Sequence, residues 1–224
     1  VLCSLMMSCC WLQTTAMADD ESSKYFYYGT VEDLDNPKAP PATHALTLST
    51  EKIGVMFQEG LTDIQQGEVL AAYVQVGDVA KEGEWRMIRH TRPILVVPLR
   101  DVKASDEVEV LLEALNSDSS IALATPVFQG VAGFDELLTD EFFASFPAKT
   151  PKEKIDELNS QYGVEVVYTR DYSIIGKIGY RLRVTRESGM NALDMANLYY
   201  EHPLTVRATP SFISLYPIID MTPN

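Results

Sequence analysis

Ala124-Thr125-Pro126-Val127-Phe128 returns as Ala208-Thr209-Pro210-Ser211-Phe212, 84 positions on (126 to 210). Each copy follows the same order of signals: an amphipathic helical stretch, then a short β-prone run. An echo with the same elements before it points to a duplicated α+β unit, and internal repeats take precedence over any other fold reading.

The second copy has the sharper punctuation. Glu141 to Phe146 reads as a strand. Thr150-Pro151-Lys152-Glu153 reads as a capping box with Pro at the first helical position. Ile155, Leu158 and Tyr162 form the buried stripe. Gly163 sits where a left-handed residue ends a helix. Val164 to Thr169 is β-rich, and Ile175 to Gly179 turns the chain. In the run Tyr180 to Thr185 that follows, Tyr180, Leu182 and Val184 alternate with Arg181 and Arg183. Ser188 is the expected cap of the next helix, with Ala192, Met195, Ala196 and Tyr199 inward. Pro203 stops that helix, and Leu204 to Ile213 closes the unit.

The first copy reads the same way. Lys52 to Phe57 is a strand, and Thr62-Asp63-Ile64-Gln65 caps a helix running to about Val74. Glu84 to His90 and Pro93 to Leu99 are strands. Ser105 caps a helix with Val108, Leu111, Leu112 and Leu115 on one face, and Ile121 to Phe128 is the last strand. Both copies give strand, helix, strand, strand, helix, strand. The expected fold is α+β: two tandem βαββαβ, ferredoxin-like units over residues 44–130 and 131–217, each an antiparallel sheet with helices on one face. Residues 218–224 form a tail. Residues 19–43 are a polar lead-in, within which Tyr25 to Tyr28 reads as an edge or docking strand.

Residues 1–18 differ from the rest. Val1 to Leu12 is apolar and is followed by Ala16-Met17-Ala18 and then Asp19-Asp20-Glu21. That is the pattern of a secretory signal peptide cleaved after Ala18, too short to span a bilayer. The alternative is a lipoprotein signal acylated at Cys9 or Cys10. All three cysteines lie in this segment, so the mature chain would have no disulfide and no thiolate chemistry. The expected destination is secreted, periplasmic or cell-surface, with no transmembrane helix in the mature form. The lack of an initiator Met and the abrupt end read as a segment of a longer precursor.

The residue survey points away from catalysis. The net charge of −14 disfavours a nucleic-acid partner. His44, His90 and His202 have no metal-ligand spacing, and His202 reads as a helix-end residue. No nucleophile elbow, phosphate-cradling glycine loop or dinucleotide fingerprint is present, so no catalytic residue, cofactor or metal is expected. Asp106, Glu107, Glu109 and Glu113 read as the solvated face of a helix. Arg181 and Arg183 beside Tyr180 fit a half-buried strand better than a single-strand binder.

Taken in order, the segments of the second copy resemble the N-terminal propeptide of secreted bacterial subtilisin-like serine proteases. The resemblance rests on Glu141-Phe142-Phe143-Ala144-Ser145-Phe146, on Lys154 to Asn159 with Tyr162-Gly163-Val164, on Tyr180 to Val184, on Asn191 to Ala196, and on Ala208 to Phe212. It covers about the last 80 residues well and the first copy weakly, where Leu46 to Phe57 resembles lead segments. Thr222-Pro223-Asn224 is similar to the junction where the mature protease begins. The catalytic Asp, His and Ser motifs of that family are absent from this chain.

The resemblance implies a non-catalytic prodomain that chaperones and temporarily inhibits its own protease domain, a partner bound in cis. It implies a tail of Leu215, Tyr216, Pro217, Ile218, Ile219, Asp220 and Met221 lying extended in the protease cleft. The alternative reading is a stand-alone secreted or surface protein-binding module of the same fold.

Overall fold

The computed structural model describes residues 24–29, 42–77, 86–88, 92–130 and 134–216. Its strands are β1 (Tyr25–Tyr28), β2 (Thr43–Phe57), β3 (Arg86–Ile88), β4 (Ile94–Pro98), β5 (Ile121–Gln129), β6 (Asp135–Pro147), β7 (Val164–Tyr172), β8 (Lys177–Val184) and β9 (Arg207–Leu215). The helices are α1 (Asp63–Ala71), α2 (Ser105–Ser117), α3 (Lys152–Gln161) and α4 (Ala192–Glu201). The class is α+β, and every strand pair is antiparallel.

One path of hydrogen-bonded strands runs β3-β4-β2-β5-β6-β8-β7, with β9 on the other side of β6 and β1 attached to the first half of β2. The sequence gives each copy its own sheet, whereas the structure joins the two. The reason is that β6 starts at Asp135, six residues before the expected strand. Its early residues pair with β5, Val127 opposite Leu137 and Gln129 opposite Asp135. Residues 135–140, which precede the strand expected from Glu141, are therefore part of β6.

Alternation along the strands sorts the core into two layers. Leu95 and Val97 of β4, Ile53 and Val55 of β2, Phe142, Ala144 and Phe146 of β6, and Tyr180, Leu182 and Val184 of β8 share one apolar cluster with all four helices. Leu70, Val108, Leu111, Leu115, Ile155, Leu158, Met195 and Tyr199 are the helical contributions. Each fully buried Val, Leu, Ile, Met or Phe side chain among them contributes roughly 1.5–3 kcal/mol. The other face carries a smaller cluster, with Ile94 and Val96 of β4, Met56, Val127, Leu137 and Leu215.

Several local signals act at other residues than expected. The Thr62 capping box forms, its hydroxyl accepting the Gln65 N–H at 3.3 Å while Gln65 Oε1 accepts the Thr62 N–H at 2.9 Å. Thr150 does not cap α3: Pro151 is the N-cap, with no side-chain bond. Ser105 is the first residue of α2 and Ala104 its uncapped start. Ser188 belongs to a 3-10 turn over Arg186–Ser188. Asn191 caps α4 instead, accepting the Leu193 and Asp194 N–H groups at 2.9 Å each. An Asn oxygen one residue before the helix reaches those amides with no detour, so it displaces the more distant serine. Gly163 ends α3 with φ +60, as its position implied.

β1 lies against the helical layer and touches both halves of the chain. Lys24 and the Tyr25 hydroxyl hold Glu109 of α2 from one side. Asn197 Nδ2 of α4 donates to the Phe26 carbonyl at 2.7 Å. Tyr28 stacks on Tyr200 at 4.2 Å and donates to Glu201. That bond to a carboxylate, helped by burial, pushes the Tyr28 phenol up to about 12. Lys24, then Tyr25, hold the Glu109 carboxyl below its usual range. Glu109 is thus not part of a purely solvated face, although its helix does carry that pattern.

The seam between the halves has a steric requirement at Gly54 of β2. A Cβ there would lie 2.5 Å from Leu137 Cδ1 and 2.8 Å from the Thr125 methyl. Gly54→Ala is therefore expected to destabilise the protein by roughly 1–3 kcal/mol through overpacking. Gly67→Ala, in α1 with nothing within 4 Å of its Cβ, should be neutral or stabilising by about 0.5–1 kcal/mol. Urea unfolding of the two variants checks the contrast, and equal effects would exclude the packing explanation.

Candidate functional site

The second half offers a helix-free surface of four adjacent strands, in the order β9-β6-β8-β7. Register sets its rows. Thr209, Phe143, Arg181 and Tyr168 lie across the sheet in one row. Arg207, Ser145, Gly179 and Arg170 form the next, and Lys177 faces Tyr172 beyond it. These residues line an open cleft of about 510 Å³.

The cleft has small residues in its middle and long ones at its rim. A Cβ on Gly179 would lie 2.9 Å from the Tyr172 ring, so the missing side chain is what lets that ring lie over the sheet. The Arg170 guanidinium sits 5.2 Å from the Tyr172 ring centroid, and that of Arg181 sits 5.6 Å from the Phe143 centroid. Phe143, Tyr168 and Tyr172 are 46%, 48% and 39% exposed, and Ile175 at the rim is 66% exposed. Clustered exposed aromatic and aliphatic groups of this kind mark interaction surfaces.

A buried acid pair holds the floor in place. β6 carries an irregularity between Leu138 and Phe142, which puts Thr139, Asp140 and Glu141 out of strict alternation. The Thr139 hydroxyl accepts the Glu141 N–H at 3.1 Å and donates to the Ser211 carbonyl at 3.0 Å, which fixes the bend. Both carboxylates are shielded from water, and arginines meet them. Arg183 reaches Asp140 at 3.2 Å and Glu141 at 2.8 Å, while Arg181 Nε lies 2.5 Å from Glu141. Arg92, just before β4, reaches Asp140 at 3.5 Å from the first half of the chain. Buried carboxylates require this kind of pairing, because desolvation of an isolated charge is far too costly. Glu141 is thus a positioning residue, since it anchors the Arg181 side chain that lies against Phe143.

No protein-family model, curated protein or solved structure matches this chain.

The residues singled out in the sequence fall in different places. Leu215 is the last residue of β9, opposite Asp135 and buried, so the tail begins one residue later. Tyr216 is 60% exposed and contacts Phe134 at 5.0 Å between ring centroids. Pro217, Ile218, Ile219, Asp220, Met221, Cys9, Cys10 and His90 lie outside the described residues. His44 stacks on Tyr27 at 4.9 Å, and His202 follows α4, its Nδ1 accepting the Leu204 N–H at 3.3 Å. Among the described residues no group of three His, Cys, Asp or Glu could hold a metal, and no helix is long and apolar enough to cross a membrane.

Sequence reading missed the acid pair. Its signal was present: Leu137-Leu138-Thr139-Asp140-Glu141-Phe142-Phe143 breaks alternation twice and sets two carboxylates inside an apolar run. Removing one partner strands buried charge, so Glu141→Ala is expected to cost about 3 kcal/mol or more. Chemical denaturation measures this, and a loss below about 0.5 kcal/mol would show that the pair is not structural.

Proposed function

We propose that this chain is the prodomain region of a secreted subtilisin-like serine protease precursor, chaperoning and temporarily inhibiting the protease. Within it we read two tandem ferredoxin-like units. The second spans β6, α3, β7, β8, α4 and β9, and its strand order β9-β6-β8-β7 interleaves two split βαβ crossovers. β2, α1, β3, β4, α2 and β5 repeat that arrangement in the first half, with order β5-β2-β4-β3.

The observation that carries the reading is the helix-free face of the second half, which leaves Phe143, Tyr168, Tyr172 and Ile175 exposed while the opposite face is packed under helices. A template of this shape can hold a partner whose own folding is slowed by non-local strand pairing. Inhibition in this reading comes from the segment after β9, lying extended in a substrate cleft by strand addition. The cleft sits near Arg207 and the tail leaves after Leu215, at opposite ends of β9. Eight residue steps separate those ends, about 27 Å of strand. A partner engaging both spans at least that distance, which fits a whole protease domain.

The same exposed face also supports the second reading, a stand-alone protein-binding module. Purified residues 19–224 are expected to inhibit a subtilisin-like protease, and deletion of Tyr216–Asn224 to abolish inhibition while leaving the fold intact. Full inhibition without the tail would exclude the cleft mechanism. No inhibition by either form would favour the stand-alone module.

A further inference from the structure

The lining of the cleft on β9-β6-β8-β7 has a sign opposite to that of the chain. It carries Arg170, Lys177, Arg181 and Arg207, and no Asp or Glu. The whole chain has 32 acidic against 18 basic residues. Arg170 and Arg207 are exposed and Lys177 is half-buried. Among the described residues none of these three has a carboxylate partner. Elsewhere Lys24, Lys52, Lys152, Arg92 and Arg183 have one, while Lys103, Lys149 and Lys154, which have none among the described residues, lie outside the cleft. Three unpaired cations in one cleft of an acidic protein form a local field that a solvated surface does not require.

Their spacing has a shape. Arg207 and Arg170 stand at the two ends of one row, with Ser145 and Gly179 between them. Three strand spacings separate the row's ends, about 14 Å. The result is a trough with a low centre, a cation on each bank, and Lys177 at one end. Phe143 and Tyr172 supply apolar walls.

We propose that this trough binds an acidic polypeptide segment, with carboxylates meeting Arg170, Arg207 and Lys177 and an apolar side chain resting among Phe143, Tyr168 and Tyr172. The inference deepens the docking face described above, and rests on that face contacting a protein. A single-stranded nucleic acid is disfavoured by the rings themselves. Base stacking needs open aromatic faces. Here Arg181 already lies against Phe143 and Arg170 against Tyr172. A guanidinium held beside a ring still presents N–H donors, which suit a carboxylate. The exposed Ile174 and Ile175 at the β7–β8 turn extend the apolar rim in the direction a protein surface would follow.

Binding of the full chain to poly-L-glutamate and to polyuridylate tests this, at low and at physiological salt. The expected result is retention of poly-L-glutamate that weakens with salt. The triple variant Arg170→Ala/Lys177→Ala/Arg207→Ala should bind about tenfold more weakly. Lys103→Ala/Lys149→Ala/Lys154→Ala removes the same charge from exposed positions outside the cleft, and should leave binding within about twofold of the unaltered chain. The single variants Arg170→Ala and Arg207→Ala, each expected to weaken binding about two- to threefold, serve if the triple variant does not fold.

The inference is overturned if poly-L-glutamate is not retained at low salt, if both triple variants lose equally, or if polyuridylate binds more tightly through the same residues. Protease inhibition that is insensitive to the cleft variant would overturn it and leave the prodomain reading standing. Poly-L-glutamate binding that depends on the cleft, without any protease inhibition, would do the reverse.

Discussion

Leu137 of β6 rests where Gly54 of β2 has no side chain, and on that contact the two halves of the protein become one sheet. The strand that carries Leu137 has obligations on both sides. Its first residues pair with β5, its later residues pair with β8, and β9 follows it along the other edge. A strand serving three neighbours must bend, and the irregularity between Leu138 and Phe142 is where it does so. The Thr125 hydroxyl, donating to the Leu138 carbonyl at 3.0 Å, ties the echo segment of the first half to that bend. The bend in turn places Asp140 and Glu141 beside Arg92, Arg181 and Arg183. Seam, buried charges and cleft floor are consequences of a single strand.

β1 secures the same junction from the helical side. Its four aromatic residues contact both halves: Tyr25 meets Phe128 at 5.4 Å and Tyr27 meets Phe212 at 5.6 Å. Those two phenylalanines end the two copies of Ala-Thr-Pro-x-Phe, and they contact each other at 6.1 Å. The repeated motif therefore has a packing role of its own. Its two final rings meet beneath the same short strand, so the copies are packed against one another at the position where they are alike.

Much of the element order was legible because it is written in local chemistry. Gly163 needed a left-handed backbone, Thr62 and Gln65 cap reciprocally, and Tyr180, Leu182 and Val184 alternate as a half-buried strand must. What stayed hidden depends on tertiary pairing. The first half of β2 is rich in Thr and Ser, and only β1 and β5 make it a strand. The early residues of β6 fall outside the strand expected from Glu141 for the same reason. Caps at Ser105, Thr150 and Ser188 failed where a neighbouring residue or an uncapped start served the geometry. The candidate site was least visible, since Arg170, Lys177 and Arg207 lie far apart in sequence and only strand order gathers them.

We propose that the helix-free face of the second half, with the segment after it, acts on a subtilisin-like protease. Refolding of such a protease domain in trans tests it most directly. A denatured protease domain is returned to native buffer with and without residues 19–224, and the recovered activity is read after the chain is removed. A large gain in recovered activity is expected, reduced when Phe143 and Tyr168 are both replaced by Ser. Recovery no greater than with an unrelated acidic protein would contradict it.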